Sequence, residues 1–215
     1  MKRIRVGIEG NGNVRIKLKK KKEATSSATP VMESPSTSAR GFEGISIPSS
    51  LINQMEIRVE SVFRPKEQDV EVVYALSGQD SMVDQLHKFS SNEVVAHATP
   101  GMISYVAEKM VEHIREERTD IPGLIIHAHS HPSGLPALSD VDRNSMPEVA
   151  RRIRDVIPDA AVLFGVHAVS SEYRRPRTPP EQVSGNRIRW SSITRLHEVA
   201  FFDEHARPVV VGISG

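Results

Sequence analysis

From Leu124 to Asp142 the chain reads LIIHAHSHPSGLPALSDVD, and the rest of the sequence is organised around this stretch. An apolar run leads into His127, His129 and His131. In an extended strand, residues two apart project to the same face, so these imidazoles line up on one side. Pro132, Ser133, Gly134 and Pro136 then stop the strand and turn the chain. Ser139 and Asp142 open a helical pattern, where a hydroxyl and a carboxylate in the first turn face back toward the strand end. Two histidines and an aspartate form a nitrogen and oxygen donor set suited to zinc (Zn2+), with a fourth position open as in catalytic sites. On the residues alone, His127 with His129 competes with His129 and His131 as the ligand pair. Asp140 competes with Asp142, since either could instead cap the helix.

The bulk numbers narrow the classes. A chain of 215 residues with 38% hydrophobic content holds one domain with a core, here with an N-terminal tail. A net charge of +1 points to neither nucleic acid nor membrane. The absence of cysteine removes disulfides and thiolate ligands, so a metal must sit on His, Asp or Glu. No apolar run reaches the length of a membrane span, and the basic start lacks the apolar core of a signal peptide, so the expected compartment is the cytoplasm.

Residues 1–22 alternate apolar and basic around Gly10-Asn-Gly-Asn13 and predict a basic β-hairpin, suited to an acidic partner or nucleic acid. Residues 23–40 are rich in Ser, Thr, Pro and Ala and predict a flexible linker, which places the folded domain at 41–215. Within it, Ile47 to Val62 has helical spacing with a serine at the cap. Asp69 to Gly78 is a β-branched run ending at glycine and predicts a buried strand. Met82–Phe89 and Glu93–His97 are expected as further strands, and Pro100–Glu117 as an amphipathic helix. After the ligand strand, Asp142 to Val156 predicts a helix that Pro147 must enter early or interrupt. Ala160–Val169 is a strand, Glu172–Ser184 a mobile loop, and Arg187–Ile193, Glu198–Phe202 and Arg207–Ile213 are strands. Strands and helices interleave, so the expected class is α/β, a curved mixed sheet flanked by helices.

The motif H-x-H-x7-S-x2-D, with Pro132 directly after the second histidine, resembles the signature of the JAMM family, also called MPN+ or JAB. These are zinc metalloproteases that cleave isopeptide bonds to ubiquitin or ubiquitin-like modifiers. The resemblance spans about Ile45 to Val169. It implies His129, His131 and Asp142 as zinc ligands and leaves His127 and Asp140 outside the set. It implies Ser139 as a donor to the developing oxyanion, and Glu71, on the strand expected after the first helix, as the general base. The bland alternative for Glu71 is a surface carboxylate beside Glu67 and Asp69.

The implied activity is hydrolysis at the C-terminus of a ubiquitin-like protein, with its conjugates as partners and a shortness that looks like prokaryotic or archaeal members. Two other readings stand beside it. One is a nucleic-acid-binding protein of the DNA-repair-associated branch of the same superfold. The other is a general small-substrate metallopeptidase.

Overall fold

The computed structural model describes residues 44–61, 71–89, 100–131 (main chain only for 100–106), 134–170 and 176–215. All lie in the second of the two units into which the chain divides, Ser38–Gly215. The expected hairpin at 1–22, the linker at 23–40 and the short strand at Glu93–His97 fall outside the described residues.

In chain order the elements are β1 (Ile45–Pro48), α1 (Ser49–Glu60), β2 (Val73–Gln79), β3 (Met82–Lys88), α2 (Pro100–Glu117), β4 (Leu124–His131), α3 (Asp140–Val156), β5 (Ala161–Ser170), β6 (Thr178–Ser184), β7 (Arg187–Ser191), β8 (Leu196–Asp203) and β9 (Val211–Ser214). The strands form one nine-stranded sheet in the order β6-β7-β8-β5-β4-β2-β3-β1-β9. It is mixed. β4 runs parallel to β5, and β1 runs parallel to β3 and β9, while the remaining neighbours are antiparallel. The Val211 N–H donates to the Gly185 carbonyl at 2.8 Å, so the two edges meet and the sheet is nearly a barrel.

Alternation along the strands sends side chains to two separate cores. Leu51, Ile52, Met55 and Val59 of α1 pack against Tyr74, Leu76, Ile126 and Phe201 on one face. Val111 and Ile114 of α2, with Val149 and Ile153 of α3, cover Ala75, Ile125, Val162 and Val166 on the other. Each helix supplies residues three and four apart, which is why one stripe meets the sheet and the rest faces water.

Several expectations need correction. Ile45–Pro48 is a strand, so α1 begins only at Ser49; its cap position is Pro48, which makes no side-chain capping bond. The strand expected from Asp69 begins at Val73. The segment expected as a mobile loop contains β6, whose partner is β7. Pro147 lies inside α3 without ending it. Proline removes one helical hydrogen bond, and burial of Met146, Val149, Ala150 and Ile153 on the same helix offsets that loss.

Two buried polar chains tie the elements. The Nδ1–H of His87 donates to Glu117 at 2.5 Å, leaving Nε2 to accept from the Ser77 hydroxyl at 2.8 Å, while Arg118 donates to the same hydroxyl at 2.9 Å. The order resembles a nucleophilic triad, but Ser77 and His87 have no exposed surface, so no substrate reaches them. The chain joins β2 and β3 to the end of α2. On the α1 face, Tyr74, His167, His197 and Glu60 form a second chain at 3.1, 3.0 and 3.1 Å. Trp190 stacks on His197 with ring centroids 5.1 Å apart.

Candidate metal centre

The centre lies where β4 ends and α3 begins. On β4 the even-numbered residues 124 to 130 are fully buried, whereas His127, His129 and His131 keep partial exposure, as strand alternation requires. The chain then turns through Gly134, whose φ of 73° lies in the left-handed region that glycine enters without strain. It enters α3 at Ser139, and the turn brings the first helical residues back over the strand end.

Ser139 and Asp142 form a capping box. The Ser139 hydroxyl accepts from the Asp142 N–H at 3.2 Å, and Asp142 Oδ2 accepts from both the N–H and the hydroxyl of Ser139, each at 2.7 Å. This fixes the carboxylate. Its Oδ1 lies 3.3 Å from His129 Nε2, its Oδ2 lies 3.6 Å from His131 Nε2, and the two Nε2 atoms are 3.0 Å apart. A tetrahedral zinc with bonds of about 2.0–2.1 Å separates its ligand atoms by about 3.3 Å. The closest approach of each pair of residues is near that spacing, the two histidines meeting different oxygens of Asp142, and one donor atom from each lies within 4.8 Å of the others, so the residues fit a metal ion. Among the described residues this is the one group of three or more His and carboxylate donors lying within 4.8 Å of one another.

The electrostatics agree with the geometry. Burial alone would raise the Asp142 carboxyl, but hydrogen bonds from His129 and His131 override it and hold the group far below the ordinary carboxylate range. His131 is pushed up, first by its bond to Asp142 and then, against burial, by the charges of Asp142 and Glu71 and by a hydrogen bond to the Leu135 main chain. His127 stands apart, its ring centroid 6.4 Å from that of His129 and 6.0 Å from Phe164. Burial, and then the neighbouring His129, push it down to about 3, so it stays neutral. Asp140 is exposed in the first turn of α3, where a negative charge favours the helix N-terminus.

Glu71 is exposed and just precedes β2. Val73 pairs with His129, so the antiparallel register carries the preceding residues toward His131, in line with the influence of Glu71 on that imidazole. Ser139 reaches the centre through Asp142, to which its hydroxyl proton is given. Sequence reasoning missed Ser130, between the two ligands. Strand alternation turns it to the opposite face, and a buried serine on an otherwise apolar strand face was the available signal.

No known family model matches the chain, and no curated protein matches it.

Proposed function

We propose that the chain is a zinc-dependent metalloprotease of the JAMM type, hydrolysing isopeptide or peptide bonds at the C-terminus of ubiquitin or a ubiquitin-like modifier. The observation that carries the reading is the convergence of His129, His131 and Asp142 at 3.0, 3.3 and 3.6 Å, with Glu71 acting electrostatically on His131 from just ahead of β2. The substrate class rests on the sequence motif.

Zinc bound there supplies Lewis-acid polarisation of a carbonyl and acidifies a water to a pKa of about 7. His129 and His131 would hold it as neutral imidazoles, and Asp142 through a carboxylate that the capping box keeps in place. Glu71 takes the proton of the attacking water and passes it to the leaving amine, acting first as base and then as acid. Ser139 gives up its bond to Asp142 and donates its hydroxyl proton to the developing oxyanion, a type of contact worth about 2.7–4 kcal/mol. No step forms a covalent bond to the protein.

The test is incubation with linear and isopeptide-linked ubiquitin-like conjugates, with and without chelator. Chelator-sensitive release of the modifier, lost in Glu71→Gln while zinc content is retained, is the expected result. Cleavage of short unrelated peptides at equal efficiency would favour the general metallopeptidase instead. The absence of any chelator-sensitive cleavage would overturn both.

A further inference from the structure

Ser130 sits between the two histidine ligands, yet its side chain has no exposed surface and lies on the sheet face away from them. Its main-chain N–H donates to the Val72 carbonyl at 2.8 Å, and the Val72 N–H donates to the Ser130 hydroxyl oxygen at 2.8 Å. The second contact is the unusual one. In the β2–β4 ladder, main chain pairs with main chain from Val73 and His129 onward. One residue further on, the link is completed by a side chain, and there β2 ends and the chain departs toward Glu71. Val72 is 4% exposed, so its N–H has little access to water and depends on that hydroxyl. A buried donor without a partner is costly, and packing alone would be served as well by alanine at 130.

We infer that Ser130 is a positioning residue for Glu71: its hydroxyl holds the Val72 main chain and so fixes the backbone from which Glu71, next in line toward His131 in the β2–β4 register, projects. The inference rests on the proposed role of Glu71 as base. One strand residue thereby sets two parts of the centre, because the N–C–C backbone that carries Ser130 also spaces His129 from His131. A base displaced by about 1 Å loses much of its effect on a reacting water, whereas the donor triangle does not depend on Val72.

The experiment compares the full-length wild type with Ser130→Ala, Ser130→Thr and Glu71→Gln. In Ser130→Ala, hydrogen exchange at the Val72 amide should accelerate at least about 10-fold while zinc stoichiometry is unchanged. On an isopeptide-linked ubiquitin-like conjugate, kcat should fall about 10- to 100-fold with KM little altered. Ser130→Thr, which keeps the hydroxyl, should restore both. Glu71→Gln should retain Val72 protection and lose turnover. With Co2+ in place of zinc, the visible bands of Ser130→Ala should move toward those of Glu71→Gln, and those of Ser130→Thr should stay with the wild type. Unchanged Val72 exchange, unchanged cobalt bands or unchanged kcat in Ser130→Ala would each overturn the inference, as would loss of zinc. A wild type that cuts no conjugate overturns the isopeptidase reading instead; the exchange and cobalt arms use no substrate and still decide the role of Ser130.

Discussion

Asp142 Oδ2 accepts two hydrogen bonds from Ser139, at 2.7 Å each, while Oδ1 faces His129 at 3.3 Å. One carboxylate therefore closes the helix start and completes the donor triangle. Stability of α3 and metal affinity are coupled through this pair. Ser139→Ala should lower unfolding free energy by about 0.5–2 kcal/mol and weaken zinc binding about 10- to 100-fold without abolishing it. Asp142→Ala and His129→Ala should lose stoichiometric zinc. Competition titrations against a chromophoric chelator measure all three, and full affinity in Ser139→Ala would separate the cap from the centre.

The buried His167 predicts acid sensitivity. Burial, and then the charge of His197, hold its pKa well below 6.5, so it is neutral among Tyr74, His197 and Trp190. The unfolded chain takes up the proton at about 6.5 and the folded chain does not. Its contribution is therefore fully present above about pH 6.5 and is lost as pH falls below that value, by at most about 1.4 kcal/mol per pH unit. His87 and His127, also pushed down, add to the same slope. Melting curves between pH 7.5 and 5 should show a shallower decline for His167→Gln than for wild type. Parallel slopes would place the proton uptake elsewhere.

A chain beginning at Gly41 should fold and bind zinc. Both hydrophobic cores among the described residues are built from Ile45 onward. Its melting temperature should lie within a few degrees of the full-length protein, since a change of about 1 kcal/mol moves the midpoint of a domain this size by about 2–4 °C. A fall several times larger would mean that residues 1–40 complete the fold.

If the substrate is a glycine-ended tail, replacing its last two residues by valine should cut kcat/KM far more than changes elsewhere on the modifier. A β-carbon beside the donor triangle blocks the approach of the backbone carbonyl. Equal rates for Gly-Gly and Val-Val ends would favour a general peptidase.

The neighbourhood of the centre was legible because its parts lie within one short stretch, where strand period and helix capping bring alternate histidines and an aspartate together by local rules; the choice of His131 over His127 and of Asp142 over Asp140 came from the motif resemblance. Residues 124–131 and 100–117 carried enough periodicity to be read as strand and helix. Thr178–Ser184 was not legible. This sheet-edge strand is exposed along almost its whole length, so it shows no alternation, and its two prolines read as a loop although an edge tolerates them. Ile45–Pro48 pairs with β9, whose residues are distant in sequence, and no local signal announces that partner. The same holds for the Tyr74–His167–His197–Glu60 chain, assembled from four separate elements. The register that brings Glu71 toward His131 is likewise non-local; only the family resemblance had singled that residue out.

The sheet order also dictates the route of approach. β4 is the central strand of the nine, with four neighbours on either side, and the outermost strands β6 and β9 already touch through Val211 and Gly185. At about 4.8 Å per strand, a peptide zipped onto either outer strand would travel about 19 Å to the side of the donor atoms, measured along the sheet. If the proposed hydrolysis holds, a scissile bond would therefore have to come in along the strands at the end where β4 meets α3, and not from either outer strand. A folded modifier body would then stay clear of that end, and only its slender terminus would reach it.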